Sequence, residues 1–209
     1  MAKKHVSSDD EIMHRYIGEI EDGGTRAAIL VNQILTFSRT SNITMHPLNI
    51  YDVAQEAISF IRASIPTTID IHTDLSPDCG QIMGDNTHIH QLITNLCTNA
   101  HHSMEKKGYG EITISLKPVT LKKSIETLSG QLLPGAYAQL SIKDTGHGIA
   151  PDIFERLLDP FFTTKDVGQG TGLGLSVVHG IAKRMGAGFS IKSQLDEGTT
   201  VELTIPPEL

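Results

Sequence analysis

Three short stretches of this chain combine residue types that can do chemistry. Asn95 and Asn99 stand four residues apart, so on a helix they share a face. Two carboxamides on an otherwise apolar helix supply oxygens for a hard cation such as Mg²⁺, which keeps most of its waters and bridges to phosphate. An isolated pair also fits an ordinary exposed helix surface, since Asn is a poor helix former that turns up there readily. The second stretch is Asp144-Thr145-Gly146-His147-Gly148-Ile149. A carboxylate followed by two glycines that let backbone approach a flat ligand suits acceptance of a hydrogen bond from an exocyclic amine such as adenine's, although Asp-x-Gly-x-Gly alone is also a common turn. The third is Gly168-Gln169-Gly170-Thr171-Gly172-Leu173-Gly174-Leu175. Alternating glycines ahead of a helix present free N–H groups and the positive end of the helix dipole, a combination that binds phosphate. No Gly-Lys-Ser/Thr follows and no strand precedes, so neither a P-loop nor a dinucleotide fingerprint is present.

These stretches need elements to hold them. Apolar residues at Val53, Ala57, Ile58 and Ile61 predict an amphipathic helix over Tyr51–Ser64, and Ile69, Ile71 and Thr73 alternate as in a strand over Thr68–Leu75. A second helix over Asn86–Met104 carries Ile89, Leu92, Ile93, Leu96 and Ala100 beside the asparagine pair. Strands are expected at Glu111–Leu116 and Ala138–Lys143, the latter ending directly before Asp144. A third helix, Gly172–Met185, opens from the glycine run, and Phe189–Ser193 with Thr200–Ile205 forms a closing hairpin. Helices and strands mix without regular βαβ alternation, which predicts an α+β two-layer sandwich with a helical layer on a mixed, largely antiparallel sheet. Ahead of it, Met13, Ile20, Ala27 and Ile34 with Tyr16, Gly23, Leu30 and Phe37 make a heptad-like seam, so one long helix that needs a partner is expected over Asp9–Arg39. Gly23-Gly24 allows a turn there instead. Thr40-Ser41-Asn42 and Met45-His46-Pro47 read as a linker.

The 209 residues with 39% hydrophobic content suffice for a packed core. A net charge of -7 argues against nucleic-acid binding through bulk positive charge, so any phosphate site is local. The two cysteines, Cys79 and Cys97, have no neighbours at metal-ligand spacing, and the ten histidines include no helical i, i+4 pair for zinc. No window approaches the roughly 20 apolar residues of a membrane span, so no membrane contact is expected from this segment and a cytoplasmic setting is.

Taken together and in this order, the stretches resemble the ATP-binding boxes of sensor histidine kinases. His90-Gln91-Leu92-Ile93-Thr94-Asn95-Leu96-Cys97-Thr98-Asn99-Ala100 looks like the N box, Asp144 to Ile149 the G1 box, Pro160-Phe161-Phe162-Thr163-Thr164-Lys165 the F box, and Gly170 to Leu175 the G2 box. Gly198-Thr199-Thr200 resembles the last glycine motif of that family. The resemblance covers roughly residues 48–207 and implies a Bergerat-type ATP-binding domain, shared more distantly with gyrase and mismatch-repair ATPases.

The resemblance further implies roles. Asp144 would contact the adenine amine, Asn99 would hold Mg²⁺ with Asn95 beside it, Gly146, Gly148 and Ile149 would line the base pocket, and Thr199 would back it. Gly170, Thr171, Gly172, Leu173, Gly174 and Leu175 would wrap the triphosphate. Residues 159–170 would form a lid with Phe161 and Phe162 as apolar anchors and Lys165 as a phosphate partner, and His102 would lie near the phosphates. Hydrolytic relatives carry a glutamate general base at the position of Asn95. An amide cannot take that proton, which favours transfer of the γ-phosphate to a histidine over hydrolysis.

Residues 26–39 look like the second helix of the family's dimerisation and phosphoacceptor hairpin, which implies a division into residues 1–45, a partial hairpin with linker, and 46–209, the catalytic domain. Neither His5 nor His14 sits in the family's acceptor motif. The chain is therefore expected to bind ATP without phosphorylating itself, with a homodimer and a response-regulator receiver domain as partners of the full-length kinase. A nucleotide-binding regulatory module, or a kinase domain acting in trans, is the alternative, and a hydrolytic ATPase is a third reading.

Overall fold

The computed structural model describes residues 13, 16–17, 45–165 and 171–208. They fall in two units, one of Met1–Asn42 with Thr164–Thr171 and one of Ile43–Thr163 with Gly172–Leu209. In the first unit, Met13, Tyr16 and Ile17 are helical and Thr164 and Lys165 lie in a bend. Most of the helix expected over residues 9–39 lies outside the described residues.

The second unit is an α+β two-layer structure. Its main sheet has five strands in the order β2 (Ile69–Leu75), β4 (Gly110–Leu121), β7 (Gly135–Asp144), β9 (Gly198–Ile205) and β8 (Gly188–Gln194). β2 runs parallel to β4, and the other pairs are antiparallel. Alternation fixes which face is buried: Ile112, Ile114 and Leu116 of β4, Leu140 and Ile142 of β7, and Val201, Leu203 and Ile205 of β9 all enter the core. Three helices cover that face, α1 (Ile50–Ser64), α2 (Asn86–Met104) and α3 (Gly174–Arg184). The predicted stripe of α1 is buried at Val53, Ala57, Ile58 and Ile61, and α2 buries Ile89, Leu92, Ile93, Leu96 and Ala100 against β4, β7 and β9.

Helix starts have local causes. Asn49 accepts from the Tyr51 N–H at 3.0 Å, and Asp85 from the His88 N–H at 3.2 Å, each satisfying a first-turn donor. α3 differs, because its N-cap residue is Leu173, whose side chain has no polar atom to cap with.

The structure corrects several expectations. His46–Asn49, whose His46-Pro47 reads as linker in the sequence, is a strand, β1, paired antiparallel with β3 (Gln81–Gly84). Pro47 is tolerated there because β1 has a neighbour on one side only. β3 was not anticipated, nor was the small hairpin of β5 (Ile125–Thr127) and β6 (Gly130–Leu132). β4 runs five residues past the expected Leu116 because β7 continues to pair with it as far as Leu121↔Gly135. α3 begins at Gly174 rather than Gly172, since Gly172 has φ 64, outside the helical region.

Candidate functional site

The inward alternation of β7 runs Ala138, Leu140, Ile142 and then Asp144, so the strand delivers a carboxylate to the position where a fourth apolar residue would sit. Asp144 is 6% exposed. A buried carboxylate without hydrogen bonds is costly, and here donors converge on it. The Ser103 hydroxyl lies 2.9 Å and the Gly146 N–H 2.8 Å from Oδ1, and the Thr199 backbone bonds the same carboxylate. Burial pushes the Asp144 carboxyl above the ordinary carboxylate range, and the bonds from Gly146, Ser103 and Thr199, with the nearby His147, work against that rise.

The loop after Asp144 is held from three sides. The His147 N–H donates to the Ser103 carbonyl at 3.1 Å, the Asp196 N–H to the His147 carbonyl at 2.8 Å, and the Ile149 N–H to Ser193 Oγ at 2.8 Å. Ser193 Oγ also lies 2.9 Å from Thr199 Oγ1, tying β8 to the start of β9. Gly148 has φ 67, and a Cβ on it would overlap the Gln194 carbonyl. Only glycine meets both conditions. A Cβ on Gly146 would likewise overlap the Ser103 hydroxyl. At both glycines the space a side chain would need is filled by the protein's own Ser103 and Gln194.

The other end of the site forms where α3 begins. A Cβ on Gly174 would stand 3.3 Å from Asn99 Nδ2 and 3.5 Å from Oδ1, so the first turn of α3 rests on the Asn99 carboxamide. The first-turn amides and the helix dipole make this end of α3 favourable for an anion. Leu173 enters the core and Leu175 packs partly against it, anchoring the turn. Gly172 pins the preceding loop: its carbonyl accepts from the Phe161 N–H at 3.0 Å, and its φ of 64 brings it against the Phe161 backbone.

Among the expected site residues, Asn95 and Asn99 lie half-buried on α2 one turn apart, and His102 follows, half-buried, with its ring 5.6 Å from that of His101. Phe162 is half-buried, with the Arg156 guanidinium 4.2 Å over its ring. Phe161, expected as an apolar anchor, has φ 69 and is 64% exposed, so its backbone rather than its ring makes the contact. Lys165 and Thr171 belong to the first unit, and Gly170 lies outside the described residues. Two residues were missed. Ser103 stands one turn after Asn99 on the same face of α2, a spacing visible in the sequence. Ser193 has no local signal, because it meets Ile149 only through the fold.

α2 thus joins the two ends. Asn95, Asn99 and Ser103 follow at i, i+4 and i+8, about 6 Å of rise per step. The arrangement offers a hydrogen-bond acceptor for a flat base at one end and amides with a carboxamide for a charged group at the other.

Comparison with known proteins gives the family and the fold. The family model described as histidine kinase-, DNA gyrase B- and HSP90-like ATPase matches residues 84–209. Sensor kinase CckA of Brucella abortus is 33% identical over 91% of this chain, but the chain spans only 20% of that protein's length. Two-component sensor PprA of Pseudomonas aeruginosa is 27% identical over 96% of this chain and 21% of its own length. Among solved structures, the catalytic domain of histidine kinase ThkA superposes with a TM-score of 0.59 at 25% identity, covering 78% of this chain and 96% of that domain.

Proposed function

The chain belongs to the histidine kinase-, DNA gyrase B- and HSP90-like ATPase family, and from that membership we propose that it is the ATP-binding catalytic portion of a two-component sensor histidine kinase. The observation that carries this reading is the coupling of two poles by one helix: Ser103 of α2 bonds the Asp144 carboxylate while Asn99, one turn earlier, lies against the N-terminus of α3.

In this reading Asp144 accepts the exocyclic amine of adenine, and the Gly146–Gly148 backbone flanks the base. The first turn of α3, with Gly172 and Gly174, receives the phosphates. Asn99, with Asn95 beside it, presents carboxamide oxygens to Mg²⁺, a donor set suited to a hard cation that retains water and phosphate ligands. When bound, the ion neutralises charge on the transferring phosphoryl group. Thr199 backs the base pocket, and His102 and Lys165 are further phosphate partners. Residues 159–170 serve as the lid in this reading.

Asn95 decides between transfer and hydrolysis. Its amide has no basic site for a water proton, so the site favours holding the nucleotide until a histidine nitrogen attacks the γ-phosphorus and the bond to the ADP oxygen breaks. The acceptor histidine, the dimeric partner and the receiver domain that takes the phosphoryl group onward belong to the same proposal, as does the division at residue 45. The relatives are sensor kinases, which supports it.

The test is direct. Calorimetric titration of this chain with ATP should show Mg²⁺-dependent binding. Mixing it with a subunit that carries a family-type acceptor helix should give acid-labile, alkali-stable phosphate on that subunit. Steady release of inorganic phosphate without protein labelling would refute the kinase reading.

A further inference from the structure

Asp144 differs from most buried carboxylates in having no ion-pair partner among the described residues. Its ionised form depends mainly on hydrogen bonds, with His147 adding a smaller electrostatic contribution. Two of its donors, Gly146 and Thr199, are backbone amides. Ser103 is the one side chain, and the one group from the helical layer. A carboxylate oxygen accepts about two hydrogen bonds. Oδ1 already receives the Ser103 hydroxyl and the Gly146 N–H, so remaining acceptor capacity is concentrated on Oδ2.

We propose that Ser103 is the positioning residue of the base-binding carboxylate: its hydroxyl fixes Asp144 Oδ1 and leaves Oδ2 to receive the amine, making Ser103 a determinant of adenine selectivity. The inference rests on the adenine-nucleotide reading above and adds a residue and a proton to it. Ser103 Oγ is itself held from the helix side, 2.7 Å from the Ala100 carbonyl. Its single proton therefore has two acceptors. With Asp144 ionised, the O–H turns to the carboxylate. With Asp144 protonated, the carboxyl O–H donates to Ser103 Oγ and the serine proton turns to Ala100. The hydroxyl thus reports the charge of the base pocket to the last turn of α2, one turn from Asn99.

Other groups near Asp144 are accounted for. His147 follows it in the loop and favours its ionised form. Lys107 donates to the Thr145 carbonyl at 3.2 Å, the Glu111 carboxylate stands 4.0 Å from His72, and His102 adjoins Ser103 on α2. None of these replaces the serine bond to Oδ1.

The experiment compares the whole chain with its Ser103→Ala variant in two measurements. Carboxyl carbon NMR without nucleotide follows the titration of Asp144, which should move up by about one pH unit in the variant, since a lost hydrogen bond to the charged form disfavours ionisation. Binding of ATP and of purine riboside triphosphate, which lacks the 6-amino group, is then measured at neutral pH. The preference for ATP should fall about two- to tenfold, the equivalent of one net hydrogen bond, while purine riboside triphosphate binding is unchanged. Ser103→Thr, which retains the hydroxyl, should restore both values. If Ser103→Ala does not fold, Ser103→Cys, a weak donor, supports the same comparison. An unmoved Asp144 titration, or equal weakening of both triphosphates, overturns the role of Ser103. A moved titration in a protein whose wild type has no preference for ATP instead overturns the assignment of Asp144 to the base.

Discussion

Replacing Asp144 by Asn separates the charge of the base-binding group from its shape. The amide oxygen can take the Oδ1 position, where Ser103 and the Gly146 N–H converge at 2.9 and 2.8 Å. The NH₂ group then stands at the Oδ2 position and presents a donor to the adenine amine, itself a donor. One charge-assisted hydrogen bond is lost, worth about 1.5–3 kcal/mol, so ATP binding should weaken about 10- to 150-fold. Stability should change little. Burial already disfavours the carboxylate, so a neutral amide relieves that cost while forfeiting one backbone bond, and each is of order 1 kcal/mol. Thermal unfolding without nucleotide should stay within about 4 °C of the wild type. The pH dependence has two opposite signs. Because the folded carboxyl titrates above its ordinary value, this group's contribution to the stability of the free protein is fully present below that ordinary value and is lost as pH rises through the folded one. ATP affinity instead needs the ionised form, so it is full above the folded value and declines as pH falls through it. Titration calorimetry from neutral to acidic pH follows the affinity, and thermal unfolding over the same range follows the stability. A folded Asp144→Asn protein that binds ATP within twofold of wild type, with the acid decline intact, would refute the assignment.

Other substitutions probe the remaining parts. Asn95→Glu supplies the missing general base and should raise phosphate release, by up to the roughly 10²- to 10⁴-fold of a well-positioned general base; a coupled phosphate assay reads it. Asn99→Ala should make ATP affinity nearly independent of Mg²⁺ while leaving metal-free binding close to wild type, as measured by titration with and without chelator. Gly172→Ala places a Cβ 2.6 Å from the Phe161 carbonyl oxygen at a φ of 64, a conformation that costs an L-residue about 1–2 kcal/mol before the overlap is counted. It should weaken ATP binding and increase proteolytic cleavage within residues 159–170, which limited digestion detects.

Much of the site was legible because its chemistry is local. The asparagine pair is an i, i+4 spacing on a helix whose bounds, Asn86–Met104, follow from the apolar stripe and the Asp85 cap. Asp144 lies where the two-residue period of β7 carries it, two positions beyond Ile142. What escaped depends on pairing between distant segments. β1 and β3 are four residues each and pair with one another across a long sequence separation, with the Glu208 N–H adding a bond to the Gln81 carbonyl, and the Pro47 that argues against a strand is harmless on a two-stranded sheet. β5 and β6 are three residues each, too short for periodicity to register. Phe161 shows the limit from another side, since the family resemblance implies an apolar anchor while the backbone conformation that meets Gly172 leaves the ring exposed.

Ser103 marks the boundary between these cases. Its spacing from Asn99 places it on the functional face of α2, yet nothing local says that its hydroxyl faces a carboxylate 41 residues later. The connection exists because β7 delivers Asp144 under the C-terminal end of α2, and Gly146 lacks the Cβ that would occupy the place of that hydroxyl. The glycine usually credited with admitting a ligand therefore also admits a protein side chain. If so, a side chain at position 146 should weaken adenine recognition even where the base itself could still enter, because it displaces the serine that orients the carboxylate. Gly146→Ala combined with Ser103→Ala tests this: removing the serine hydroxyl relieves the closest of three overlaps, while the Ser103 Cβ at 2.5 Å and Asp144 Oδ1 at 2.7 Å still crowd the new methyl. The double variant should therefore fold somewhat better than Gly146→Ala alone yet prefer ATP over purine riboside triphosphate no more than Ser103→Ala does. A double variant with wild-type preference would show that Asp144 needs no serine to orient it.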